Sequence, residues 1–216
     1  MKILFLGDSI TAGAWLVSPA LGFPALVGEK LHCEIKNYGV GGTRIARQRI
    51  PSEERSYDED FLQRAEKMDK TADFVFVFGG TNDFGHGDAP IGNTDDVTPY
   101  TFCGALNCLT EYLRGVYGKD KVVFILPLHR TDEDNKRGEN SCKQNEAGSL
   151  NDYIQAEIEV LTKQQTEFLD LRKKFPLSEL NTLTVDGLHP TADGHAIIAE
   201  AIEAYVNKRR VHVFRG

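Results

Sequence analysis

The sequence has no excess of positive charge, no long apolar run, no paired-cysteine pattern and no internal repeat, and each absence removes a class of protein. Its 25 lysines and arginines are outnumbered by 32 aspartates and glutamates, for a formal charge of −7. That balance leaves no general basic field with which to displace counterions from a phosphate backbone, so nucleic acid is not an expected partner. Arg44, Arg47 and Arg49 form a local basic cluster that could meet an anionic substrate, but Glu53 and Glu54 follow closely and a solvated loop is the plainer expectation. No apolar run approaches the ~20 residues a bilayer-crossing helix needs. The opening run Met1-Lys2-Ile3-Leu4-Phe5-Leu6 yields to Gly7-Asp8-Ser9 after four apolar residues, too few for the core of a secretion signal. A cytoplasmic protein without a membrane span is the expectation. Cys33, Cys103, Cys108 and Cys142 show no CxxC spacing, and a chain of this size stands without disulfides, so free thiols are expected.

What is present is an ordinary globular composition, with 41% hydrophobic and 26% charged residues over 216 positions. It calls for one domain spanning 1–216, with 207–216 as an extension. Short β-branched or apolar runs at 2–6, 32–37, 74–78, 121–126 and 166–170 predict five strands. Helical spacing fills 24–31, 57–67, 101–117, 149–163 and 191–208. The run Phe74-Val75-Phe76-Val77-Phe78 is apolar on both faces, as a parallel strand covered by helices on each side must be. The fold class is therefore α/β, a three-layer α/β/α sandwich on a five-stranded parallel sheet; the strand order assumed for it is the flavodoxin-like 2-1-3-4-5. Three long polar stretches, 43–60, 84–99 and 127–148, leave from carboxyl ends of strands, where open α/β sheets bind ligands. The last of these reads equally well as a pocket wall or as a surface insertion. The segment from Lys208 to Phe214 changes from helical to alternating pattern, as an edge strand or an arm to a neighbouring subunit would, although a disordered terminus is the simpler expectation.

Four short motifs could carry chemistry. Gly7-Asp8-Ser9 stands at a strand-to-helix turn that can expose Ser9 Oγ, although a serine there can also cap a helix or sit against a phosphate. Asn37-Tyr38-Gly39-Val40-Gly41-Gly42-Thr43 lets the backbone turn sharply and bring an N–H close to a ligand. Gly79-Gly80-Thr81-Asn82-Asp83 places an amide at the sheet edge, able to donate to an oxyanion or simply to close a turn. Asp186-Gly187-Leu188-His189-Pro190 sets a carboxylate three residues before an imidazole, which could fix the tautomer of a general base. They follow strands one, two, three and five. With the order 2-1-3-4-5, Ser9 is flanked by Gly42 and Asn82.

This ordered set resembles the GDSL/SGNH hydrolase superfamily, whose four blocks contribute Ser, Gly, Asn and His; the first block reads Gly-Asp-Ser-Ile here. The resemblance spans residues 7–190. It implies Ser9 as nucleophile, Asp186 and His189 as its triad partners, and an oxyanion hole from the Ser9 and Gly42 N–H groups and the Asn82 side chain. Gly42 is chosen over Gly39 and Gly41 because it precedes Thr43 in the similar block. Asp8, Arg44, Phe84 and His86 are candidate substrate contacts. The implied activity is that of a serine esterase, with no cofactor and no metal, and the polar character of the 43–60, 84–99 and 127–148 stretches favours a small or polar carboxylic ester, such as an O-acetylated carbohydrate. His86-Gly87-Asp88 and the pair His189 and His195 do not form an ordered metal-ligand set. Alternatives are a lysophospholipase- or thioesterase-like acylhydrolase, and a non-catalytic flavodoxin-like module holding a phosphate at Ser9, Thr11 and Gly13.

Overall fold

The computed structural model describes residues 1–135 and 148–213, with the side chains of the last two left aside. In chain order the elements are β1 (Lys2–Gly7), α1 (Ser9–Ala12), α2 (Phe23–Leu31), β2 (Glu34–Gly39), α3 (Phe61–Ala65), β3 (Phe74–Phe78), α4 (Thr81–His86), α5 (Phe102–Tyr117), β4 (Val122–Ile125), α6 (Leu150–Lys163), β5 (Glu167–Leu169), α7 (Leu180–Leu183) and α8 (Ala192–Val213). The five strands pair in parallel in the order β2-β1-β3-β4-β5. The expected sheet and order are therefore present.

Alternation along the strands feeds two cores. Leu4, Leu6, Val75, Val77 and Phe124 pack with α3, α5 and α6, while Ile3, Phe5, Phe74, Phe76, Phe78, Val123 and Ile125 pack with α2 and α8. Each fully buried Phe or Leu contributes roughly 1.5–3 kcal/mol relative to exposure, so β3, buried on both faces, anchors the sheet. The edge strand β2 is only half-buried, and Lys36 on it pairs with Asp69 at 2.6 Å, a charge that discourages pairing with another strand.

Several boundaries differ from expectation for local reasons. β2 begins at Glu34 because His32 closes α2 in the left-handed region at φ 48°. The expected helix 57–67 is a 3-10 turn at Arg55–Asp58 followed by α3, which restarts at Phe61 behind a capping box of Asp60 and Gln63. The stretch taken as loop from Phe84 onward begins inside α4. Beyond residue 207 the chain continues α8 to Val213 instead of turning into a strand, with Arg209 pairing with Glu167 at 2.7 Å. Cys33, Cys103 and Cys108 are free thiols, and burial pushes Cys103 up to about 11. Cys142, most of the 127–148 stretch and Phe214 lie outside the described residues. Among the described residues no helix is long and apolar enough to cross a membrane.

Candidate active site

β1 ends in a turn with no room for a side chain at Gly7, where a Cβ would lie 1.9 Å from Thr11 Oγ1 and 2.8 Å from the Phe78 carbonyl. This packing sets Ser9 at the start of α1, at the carboxyl edge of the sheet. Asp8 caps that helix, its Oδ1 accepting the Ile10 N–H at 2.9 Å. Ser9 Oγ lies 2.9 Å from His189 Nε2, joining residues 180 positions apart. His189 Nδ1 in turn lies 2.7 Å from Asp186 Oδ2.

The Asp186–His189 unit is built locally. Gly187, at φ 81°, makes the bend, and Asp186 Oδ1 accepts the backbone N–H groups of Leu188 at 3.0 Å and His189 at 2.8 Å. Partial burial pushes the Asp186 carboxyl up, but the hydrogen bonds from the His189 backbone and ring outweigh it and hold the group below the usual carboxylate range. A carboxylate there accepts a hydrogen bond from Nδ1–H and so holds the proton on that nitrogen, which leaves the Nε2 lone pair facing the Ser9 hydroxyl. The arrangement can accept the proton of Ser9 and stabilise the imidazolium that results.

On the other side of Ser9, Gly41, Gly42 and Asn82 line the same cavity of about 650 Å³. Gly42 has φ 73°, and a Cβ there would meet the Tyr57 ring at 2.4 Å, so neither backbone nor space admits another residue. Gly39 instead packs on α1, where a Cβ would lie 2.3 Å from Ala12 N. Asn82 Nδ2 donates to the Thr43 carbonyl at 3.0 Å, which fixes the amide plane; the same nitrogen carries a second N–H.

The structure thus brings together Ser9, Gly42, Asn82, Asp186 and His189, and places His86 in the cavity wall. It does not bring Asp8, Phe84 or Arg44 to the cavity surface. Asp8 lies beneath it, and burial pushes its carboxyl up to about 7 against the pull of the Ile10 N–H and Arg64. Phe84 is a core residue packed under the Arg130 guanidinium, 5.1 Å from ring centroid to Cζ. Arg44 is buried and bonds Asp58 at 2.9 Å, Ser52 at 3.0 Å and His86 Nδ1 at 2.6 Å, so it organises the 43–60 stretch instead of meeting solvent or an anionic substrate. Arg47 pairs likewise with Asp60.

Five residues of the site and its frame carried no sequence signal of their own. Trp15, Tyr57, Arg130 and Leu188 line the cavity. Of these, Tyr57 and Arg130 fall in stretches expected as pocket walls, though neither was singled out there. Arg64 lies beneath, donating to Thr43 Oγ1 at 2.7 Å, the Gly7 carbonyl at 2.9 Å and the Tyr38 carbonyl. It sat unmarked on an expected helix. His195, a candidate ligand beside His189, instead accepts the Phe23 N–H at 3.2 Å and stacks on that ring. Among the described residues no group of three or more His, Cys, Asp or Glu could hold a metal ion.

Comparison with protein families matches residues 5–197 to the model of the GDSL-like Lipase/Acylhydrolase family. Among solved structures, a protein from Lactobacillus plantarum is 26% identical with a TM-score of 0.79, covering 96% of each chain. A lipase/acylhydrolase from Enterococcus faecalis is 23% identical with a TM-score of 0.63 over 96% of each chain. An acetyl xylan esterase is 22% identical with a TM-score of 0.63 over 95% of this chain and 100% of its own. Comparison with curated proteins gives no match.

Proposed function

The chain belongs to the GDSL-like lipase/acylhydrolase family, and from that premise we propose that it is a serine esterase that cleaves a small or polar carboxylic ester through an acyl-Ser9 intermediate. The observation that carries this reading is the continuous relay Ser9–His189–Asp186, with contacts of 2.9 and 2.7 Å. His189 takes the Ser9 proton as Oγ attacks the ester carbonyl. The tetrahedral oxyanion is held by the N–H groups of Ser9 and Gly42 and by the Asn82 amide, donors fixed before the charge develops. On collapse, His189 returns its proton to the leaving alcohol. A water then gives a proton to His189 and attacks the acyl carbon, and Ser9 leaves as the alcohol, reprotonated, while the carboxylic acid is released. Every proton has a carrier without a metal or organic cofactor.

The cavity supports a polar substrate. Beside the apolar Ala14, Trp15 and Leu188 its wall carries His86, Arg130 and Asn82, and a long alkyl chain laid across these polar groups would remove water from them without replacing its hydrogen bonds. An O-acetylated carbohydrate is the substrate this favours, in keeping with the acetyl xylan esterase of similar fold. A phosphate-binding role is disfavoured by Asp8, whose side chain already occupies the cap of the four-residue α1 and takes the N–H of Ile10.

The test is hydrolysis of p-nitrophenyl acetate by the wild-type protein and by Ser9→Ala. We expect the substitution to lower kcat by at least about 10³-fold, as loss of a triad nucleophile does. Equal rates in the two proteins would overturn the nucleophile assignment.

A further inference from the structure

Trp15, the sole tryptophan of the chain, is held in an unusual way. Its backbone lies in the left-handed region at φ 69°, a conformation bulky side chains seldom adopt, and its side chain is left 68% exposed. The indole lines the cavity that contains Ser9, with its ring centroid 6.3 Å from that of His189. A large apolar surface kept in water beside a reactive centre marks a binding contact more readily than a structural one.

The chemistry of the site says which part of a substrate this ring meets. To return its proton, His189 must have the leaving oxygen within hydrogen-bond reach of Nε2. The carbonyl oxygen turns the other way, toward Gly42 and Asn82. The alcohol half of the ester therefore departs past His189, where Trp15 stands. The indole offers a flat, rigid, apolar face, which fits the C–H face of a saturated six-membered ring, while polar groups elsewhere in the cavity suit the hydroxyls around such a ring.

We propose that Trp15 is the platform for the alcohol half of the substrate and that this half is a pyranose sugar, so that Trp15 determines specificity by stacking on the ring. The proposal rests on the reading of Ser9 and His189 as an esterase centre.

The experiment compares wild type, Trp15→Ala and Trp15→Phe on three methyl pyranosides bearing one acetyl group, a glucoside, a mannoside and a xyloside, with ethyl acetate and phenyl acetate as references for the same acyl group. On at least one sugar ester, Trp15→Ala should lose about tenfold more kcat/KM than on ethyl acetate, mainly through KM, and Trp15→Phe should recover part of the loss. In the Ser9→Ala background, the fluorescence of Trp15 should change saturably as that sugar ester is added and not with ethyl acetate. Equal losses on sugar esters and ethyl acetate overturn the platform role, and a selective loss confined to phenyl acetate overturns the sugar assignment. A fluorescence that responds to protein concentration but not to sugar overturns the proposal in favour of a second copy covering the indole. Wild-type protein inactive on every acetate overturns the esterase reading, and this proposal with it.

Discussion

Asp8 touches the site from below and carries a cost of its own. Its carboxyl is 1% exposed, and burial raises it from the ordinary 3.8 to about 7. Between those values the folded chain holds a proton that the unfolded chain has released. The contribution of Asp8 to stability is therefore fully present below pH 4, declines as pH rises, and is gone above pH 7. Asp8→Asn keeps an acceptor for the Ile10 N–H and cannot ionise. Urea unfolding across a pH series should show the variant gaining on wild type from pH 4 to 8 by on the order of 1–4 kcal/mol, then holding level. A difference that grows toward acid would contradict the buried, protonated carboxyl. His195, pulled down to about 4 by burial, has the opposite sign and is common to the two proteins, so it cancels in the comparison; Asp83, raised to about 6 by burial, has the same sign as Asp8 and repels it, so part of the gain belongs to the pair.

At the scale of elements, the loop that carries Gly42 is tied from three directions. Asp83 on α4 accepts the N–H groups of Ile45 at 2.9 Å and Ala46 at 2.8 Å, Asn82 holds the Thr43 carbonyl, and Arg64 on α3 joins Thr43 to the ends of β1 and β2. Arg64→Met fills similar space but severs the last tie and leaves Asp8 without its cation. The expected loss of stability is about 3–5 kcal/mol, the range found when one member of a buried charged network is removed. In a variant that remains folded, kcat should fall more than KM rises, because the displaced donor is the one proposed to serve the oxyanion and not the ground state. A folded variant with unchanged kcat would assign the loop's position to Asp83 and Asn82 alone. Arg64 also shows where sequence reading stops. The order of the sheet was an assumption under which the glycine and amide motifs flank Ser9, while the strands were legible because runs such as Phe74-Val75-Phe76-Val77-Phe78 have one physical reading. α4 was not, because it opens on Gly80 at φ 97° with no side-chain cap to mark it. Arg44 read as a substrate contact or a solvated loop cation, and Arg64 carried no signal, until the chain folded carbonyls and carboxylates around them. Trp15 gave no sign, since its role depends on a neighbour far along the sequence.

That separation matters for the molecule as a whole. Ser9 and His189 come from opposite ends of the chain, yet both rest on the same sheet, the serine at the end of β1 and the histidine just before α8, which packs against α2 and the face of Ile3, Phe5 and Phe76. Alternate residues of each strand serve the two cores, so neither core can melt while the other keeps its strands. Unfolding should therefore be a single transition, with ester hydrolysis and the far-ultraviolet dichroism of the helices lost at the same urea concentration. The intrinsic fluorescence should change little, because Trp15 is already 68% exposed in the folded protein. Activity that disappears well before the dichroism would mean that the segment bearing Asp186 and His189 detaches from an intact sheet, and the relay would then depend on a locally weak tether instead of on the cooperative core.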